Sequence, residues 1–353
     1  MKKTLIAIAA LAATGAFAQS TVTISGLLDM GYLSTTTQAT ATADNKVQTF
    51  GMNNTGTSAV NISITEDLGG GMRASGFLET NPQVNGSATG TGPLLAAGAT
   101  INGDATSTFA GGQRFVGLSG GWGGVKLGAP NSAVLQAAAG SQPFGTAMGG
   151  GYSAAFSVTG MGAGVRDIRS ANSMRYDTPV IGGFSGSYTL SFNNKDNTNT
   201  DTSTGATVLG LNYSAGPLNV MYANGGYKNG GTANNLTSLN TLTANYTFGA
   251  TTVYVGVHNA RLEAAGVQTA KTSATNLAVK HAMGATTLLA NMAKRTDKQT
   301  AVADNGDVTG LGADYALSKR TNLYGRYEKF EQSSATAATG KRTAYSFGIK
   351  HTF

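Results

Sequence analysis

The stretch RTAYSFGIKHTF, from Arg342 to Phe353, decides how this chain is read. Tyr345, Phe347, Ile349, His351 and Phe353 alternate with Ala344, Ser346, Gly348, Lys350 and Thr352. One face is largely apolar and aromatic; the other is small, polar or basic. A period of two is that of a β-strand with one face in an apolar medium and the other in water. The stretch stops on an aromatic residue with no tail behind it. A terminal strand of this kind suits the wall of a barrel whose outside touches lipid and whose inside touches solvent.

The opposite end is read as a leader. Met1-Lys2-Lys3 is a short positive region, Leu5 to Ala13 a short apolar run, and Ala16-Phe17-Ala18 a small-x-small cleavage site. Together they predict a secretory signal peptide over 1–18, with the barrel domain over 19–353. The apolar run is too short to cross a bilayer core of about 30 Å as a helix.

Composition narrows the class further. The 353 residues contain no cysteine, so an exported chain of this size relies on hydrogen bonding and burial alone. Charged residues are 12%, well below the usual quarter, yet after the leader no segment approaches 18 consecutive apolar residues. Fifty glycines with many Thr, Asn, Ser and Tyr favour strands joined by turns. Six prolines permit extended hydrogen-bonded ladders. The net charge of +7 falls to +5 without Lys2 and Lys3, and the basic residues are scattered. No clustered patch points to nucleic acid.

Working back from the C-terminal strand, alternation marks strands in pairs. Val22, Ile24, Leu28, Met30 and Tyr32 share one face of 21–32; Val60, Ile62 and Ile64 share one face of 58–66. The strand 72–80 sends Arg73, Ser75, Phe77 and Glu79 to the other side. Further strands are read at 113–119, 122–128, 172–177, 184–192, 207–214, 217–227, 238–248, 251–262, 272–282, 285–295, 308–317 and 321–331. Sixteen strands result. Short turns such as Gly120–Gly121 and Gly249–Ala250 alternate with long Gly/Thr/Asn-rich loops, among them 33–57, 81–112, 129–170 and 263–271. The expected fold is all-β: a transmembrane antiparallel barrel with short periplasmic turns and long external loops.

The closure is physical. In hydrocarbon every backbone N–H and C=O needs a partner within the protein, and an open sheet leaves an edge unpaired. Sixteen strands enclose a lumen too wide for side chains to fill, so water enters it. The inward face is then expected to be Ser, Thr, Asn and charged residues. Tyr32, Tyr213 and Tyr246, near strand ends, are candidates for the interfacial girdles.

Several stretches resemble the trimeric general porins of Gram-negative bacteria, of the β-proteobacterial type. They are Gly26 to Tyr32, Glu66 to Gly71, Arg114 to Ser119, Asn172 to Pro179, Gly312 to Thr321 and the terminal Phe353. The resemblance implies a sixteen-stranded trimeric barrel in the outer membrane, with its third external loop folded into the pore. It implies passive diffusion of ions and small hydrophilic solutes, usually with anion preference. It also implies outer-membrane lipid and lipopolysaccharide as surroundings, and the barrel-assembly machinery as a partner of the Phe353 strand. No cofactor is implied.

Inward parity includes the bases Arg73, Lys126, Arg175, Lys280, Arg326, Arg342 and Lys350, and the acids Asp29, Glu79, Asp177, Asp314 and Glu328. Arg175 with Asp177, and Arg326 with Glu328, are expected pairs two residues apart on one face. Rings of charge in a narrow passage bias which ion enters. Arg73, Lys126 and Arg175 are the leading candidates for selectivity, because the resemblance places their strands beside the third loop. Glu79 and Asp177 are their acidic counterparts. Arg166 and Arg169 at the exit of that loop come next. Arg114 shares the parity of Val116 and Leu118 and reaches the lumen only if its strand bulges. From Ala129 to Val165 there is no charged residue, where acids are usual for the family. Phe144, Met148, Tyr152 and Phe156 are the candidate constriction residues of that loop, and they predict a weakly polar passage and a weak to moderate anion preference.

Nothing in the chain reads as a catalytic or metal site. His258, His281 and His351 lie in separate strands, and no zinc-ligand spacing is present. A barrel enzyme needs an external Ser/His/Asp set, and the long loops contain no histidine. A secreted adhesin needs a short fixed repeat, and none appears. A substrate-specific channel on the same barrel shares every feature above.

Overall fold

The computed structural model describes residues 20–40, 43–52, 54–82, 112–150, 169–192, 205–228, 235–264, 266–298, 304–334 and 340–353. The expected signal peptide over 1–18 lies outside them, as do Arg166, Tyr152 and Phe156.

The strands in chain order are β1 Thr21–Thr40, β2 Ala43–Met52, β3 Ala59–Gly69, β4 Met72–Thr80, β5 Arg114–Gly120, β6 Gly123–Ala129, β7 Ser173–Asp177 and β8 Phe184–Ser191. They continue with β9 Ala206–Ala215, β10 Leu218–Tyr227, β11 Asn235–Phe248, β12 Thr251–Ala264, β13 Val267–Met283, β14 Thr286–Asp297, β15 Asp304–Ala316, β16 Thr321–Ser334 and β17 Gly340–Thr352. Each pairs antiparallel with its neighbours, and β1 pairs with β17, so the sheet closes. Two backbone bonds between Gly26 and Phe353 seal the seam at 2.9 and 3.1 Å. β2 and β3 form one stave: the upper half of β1 pairs with β2 and its lower half with β3. The wall therefore has sixteen staves, as the alternation predicts.

The two faces separate as expected. Val22, Ile24, Val116 and Phe347 are each at least 60% exposed on the outside, the surface that hydrocarbon covers. Aromatic pairs gather toward the turn end: Trp122 stacks on Tyr176 at 6.4 Å, and Phe184 meets Tyr213 at 4.4 Å. Tyr246 lies 6.0 Å from Phe248. This is the belt that amphipathic rings form at a membrane boundary.

The strands differ from the sequence reading at their loop ends. β1 runs to Thr40 rather than 32, and the loop expected over 33–57 is largely the β1–β2 hairpin. The loop expected over 263–271 is likewise mostly strand, since β12 reaches Ala264 and β13 starts at Val267. The cause is a change of medium. Beyond the bilayer both faces meet water, so alternation fades while the backbone ladder continues.

One interruption has its own chemistry. Between β2 and β3 the chain turns over Asp29, whose Oδ2 accepts from the Thr55 N–H and hydroxyl at 2.5 and 2.7 Å. The Asn54 amide donates to the Tyr324 hydroxyl at 3.1 Å. That phenol lies across Gly31 and Gly348, which face each other in the β1–β17 ladder; a Cβ on either would strike it.

Candidate functional site

The lumen is shaped by the chain after β6. Ala129 and Pro130 lead to Asn131, which forms an isolated bridge with Arg169 and marks the root of the inward segment. The Arg169 guanidinium donates to Asn131 Oδ1 at 3.0 Å, and the Asn131 N–H donates to Gln113 Oε1 at 2.9 Å. Gln113 donates its own N–H to Glu79 Oε2 at 3.2 Å, so a polar chain ties β4 and β5 to the root.

A helix follows, α1, Ala133–Gly140. Ser132 caps it, its hydroxyl accepting from the Leu135 N–H at 3.0 Å, which satisfies one of the donors a helix start leaves open. Strand alternation gives no sign of this helix; the serine followed by AVLQAAA marks it. Ala133, Val134, Ala137 and Ala138 are buried against Ala206, Val208, Ala223 and Leu239 of β9, β10 and β11. Here the inner wall is apolar, contrary to the polar inward face expected throughout. Small apolar side chains stand where the helix docks, because polar groups under it would lose water without gaining partners.

Past α1 the segment follows the wall. Asn276 donates its side-chain amide to the Ser141 carbonyl at 2.6 Å, and His258 hydrogen-bonds that same asparagine at 3.0 Å. Phe144, 4% exposed, lies under the Arg326 guanidinium at 5.7 Å. Met148 is fully buried with Leu33 and Ala344, beneath β1 and β17. The Gly149 N–H donates to Glu328 Oε2 at 2.8 Å, and Asn291 donates to the carbonyls of Gly149 and Gly150 at 3.2 and 3.0 Å. The segment therefore crosses the barrel interior from β6 to the β1–β17 seam. It carries no charge of its own between Ala129 and Gly150.

Two charge clusters face this segment. In the first, Asp177 accepts from Lys126 at 2.9 Å and from Arg175 Nε at 2.8 Å. Arg175 also donates to the Asn131 carbonyl at 2.6 Å and to Gln136 Oε1 at 3.4 Å, which links it to α1. The second lies across β15, β16 and β17. Asp314 pairs with Arg326 at 2.8 Å and Lys350 at 3.2 Å, and Glu328 pairs with Arg342.

The pairing of Arg175 with Asp177 follows the expected spacing. That of Arg326 with Glu328 does not. Arg326 reaches across to Asp314 and Glu328 to Arg342, each a diagonal neighbour on the adjacent strand. Arg295, 1% exposed on the inner face, is a lumen-side cation that the strand-end reading leaves out.

The structure thus brings Lys126, Arg175, Asp177, Arg169 and Glu79 to the root of the inward segment. Arg73 stands apart, exposed near the turn end and opposite Asp67 in the β3–β4 ladder. Arg114 is exposed at the loop end of β5, on the outward parity, with its guanidinium on the Gly112 carbonyl at 3.1 Å.

A closed barrel of sixteen staves with an uncharged segment laid inside and ion pairs on its wall is the architecture of a water-filled membrane channel. The family model for Gram-negative porins matches residues 4–335, and the chain belongs to that family. Outer membrane porin protein 32 of Delftia acidovorans is 30% identical over 379 residues, covering all of both chains. An outer membrane porin protein of Bordetella pertussis is 29% identical over 405 residues, again covering all of both. Among solved structures, the anion-selective porin from Comamonas acidovorans has a TM-score of 0.75 at 23% identity, covering 95% of this chain and 100% of its own. OmpT of Vibrio cholerae, in a trimer form, has a TM-score of 0.66 at 14% identity, covering 95% and 99%. The protein is an outer-membrane porin.

Proposed function

We propose that the channel passes small hydrophilic solutes passively, without catalytic turnover, and favours anions weakly. The observation that carries the preference is the charge balance of the two ion-pair clusters that face the inward segment. Lys126, Arg175, Arg326, Arg342 and Lys350 stand against Asp177, Asp314 and Glu328, an excess of two positive charges. The segment adds none between Ala129 and Gly150. Most of the positive charge is locally neutralised, so the field is mild, and a mild field in a narrow passage biases entry without closing it to either sign.

The test is the reversal potential across a planar bilayer under a KCl gradient. A potential displaced toward the chloride equilibrium value supports the proposal; clear potassium preference refutes the preference while leaving the pore in place. Removal of residues 1–18 on export and assembly as a homotrimer belong to the same proposal. Outward-facing Arg261, Lys271 and Lys294 are exposed on strands β12 to β14 and suit the phosphates of lipopolysaccharide. The terminal strand with Phe353 is the proposed point of engagement for the barrel-assembly machinery.

A further inference from the structure

Phe77 on β4 and Phe115 on β5 are cross-strand partners on the inner wall. Their rings stack with centroids 5.8 Å apart and planes 11° from parallel. Both are only half-buried. The inward aromatics Tyr227, Tyr254, Tyr324 and Phe330 are each less than a tenth exposed. Among the described residues the phenyl pair is therefore an apolar surface left more open than the other inward rings. Gly128 stands opposite Phe115 in the β5–β6 ladder, so β6 places no side chain beside that ring from this position.

A cation adjoins the pair. The Lys126 ammonium lies 5.2 Å from the Phe115 centroid, and its side chain is about a third exposed. It donates one hydrogen bond, to Asp177, and an ammonium has three donors. Its neighbour Arg175 is buried, with Nε, Nη1 and Nη2 all engaged. Lys126 is thus the group with donors to offer.

We propose that Phe77, Phe115 and Lys126 form a subsite in the channel wall for planar aromatic carboxylates. The solute ring packs against the phenyl pair by offset or edge-to-face contact, and its carboxylate takes the spare donors of Lys126. An aliphatic acid engages only the cation, and a neutral arene only the rings. Binding is weak, because a channel must release what it captures. The inference rests on the pore reading given above and specifies a solute class for it.

The experiment uses the full-length porin in planar bilayers in 0.1 M KCl, with sodium benzoate, sodium cyclohexanecarboxylate or sodium acetate added at matched ionic strength. Benzoate is expected to depress chloride current in a saturable manner at millimolar concentration, with cyclohexanecarboxylate weaker and acetate without effect. Replacing both rings, Phe77→Leu with Phe115→Leu, keeps the wall apolar and is expected to weaken the benzoate effect about fivefold while sparing KCl conductance. Lys126→Gln is expected to weaken it as well. Equal block by benzoate and cyclohexanecarboxylate, or undiminished benzoate block in the leucine variant, overturns the subsite and leaves a cross-strand packing pair. Absence of any KCl current from the folded wild-type protein overturns the pore reading and the subsite with it; an open pore indifferent to benzoate overturns the subsite alone.

Discussion

Gly310→Ala tests whether the inward segment sets the bore. Gly310 faces the lumen on β15, directly against the tip of the segment. A Cβ there would stand 2.6 Å from both the Cα and the carbonyl carbon of Gly149. Nonbonded carbons settle at about 3.5–4.0 Å, so the tip must retreat by about 1 Å. Both sides of the clash are backbone, and no side chain can swing away to absorb it. The retreat pulls the Gly149 N–H from Glu328 and the carbonyls of Gly149 and Gly150 from Asn291. One bond to a buried carboxylate and two neutral ones together contribute about 3–5 kcal/mol. The wall does not depend on these bonds; its ladders are complete without them. The variant is therefore expected to keep its β-content by circular dichroism. Its single-channel conductance in 1 M KCl is expected to rise, with more open-channel noise. A folded variant with wild-type conductance and noise would refute the reasoning, because the tip would then be held by contacts other than these.

Four more outcomes follow from the same geometry. Glu328→Gln leaves Arg342 buried without a charge partner and is expected to cost about 3–5 kcal/mol, seen as a lower temperature for loss of the folded band on a gel. Lys126→Gln is expected to reduce anion preference more than Arg73→Gln, since Lys126 lies at the root of the inward segment and Arg73 near the turn end; equal shifts in reversal potential would contradict this. Raising KCl from 0.1 to 1 M shortens the screening length from about 10 to about 3 Å, so the anion preference is expected to shrink severalfold. Ser132→Ala removes the cap of α1 and is expected to destabilise the helix by about 1 kcal/mol, visible as faster proteolytic cutting within the segment with the barrel intact.

The barrel was legible because lipid and water impose opposite demands on alternate residues, and Tyr345 to Phe353 records both. Closure followed from the need to pair every backbone group in hydrocarbon. The strand tops were not legible: β1 continues to Thr40 where both faces are wet and no alternation marks it. The inward segment was visible only as a long uncharged stretch without strand periodicity. Its helix was signalled by Ser132 and the alanine-rich run, yet its docking place was not, because Ala206, Val208 and Ala223 become meaningful only when α1 lies on them.

The sequence by itself determined a wall, its two faces and its family, since each is a local pattern repeated along the chain. Apart from Arg175 with Asp177, the charge partners and the traffic of the lumen were decided by tertiary structure. Arg326 finds Asp314 on the neighbouring strand rather than Glu328 on its own, Gly310 touches Gly149, and Phe77 meets Phe115, all between different elements of the chain. Register and the path of the inward segment create those meetings, and neither is written in the spacing of residues along one strand.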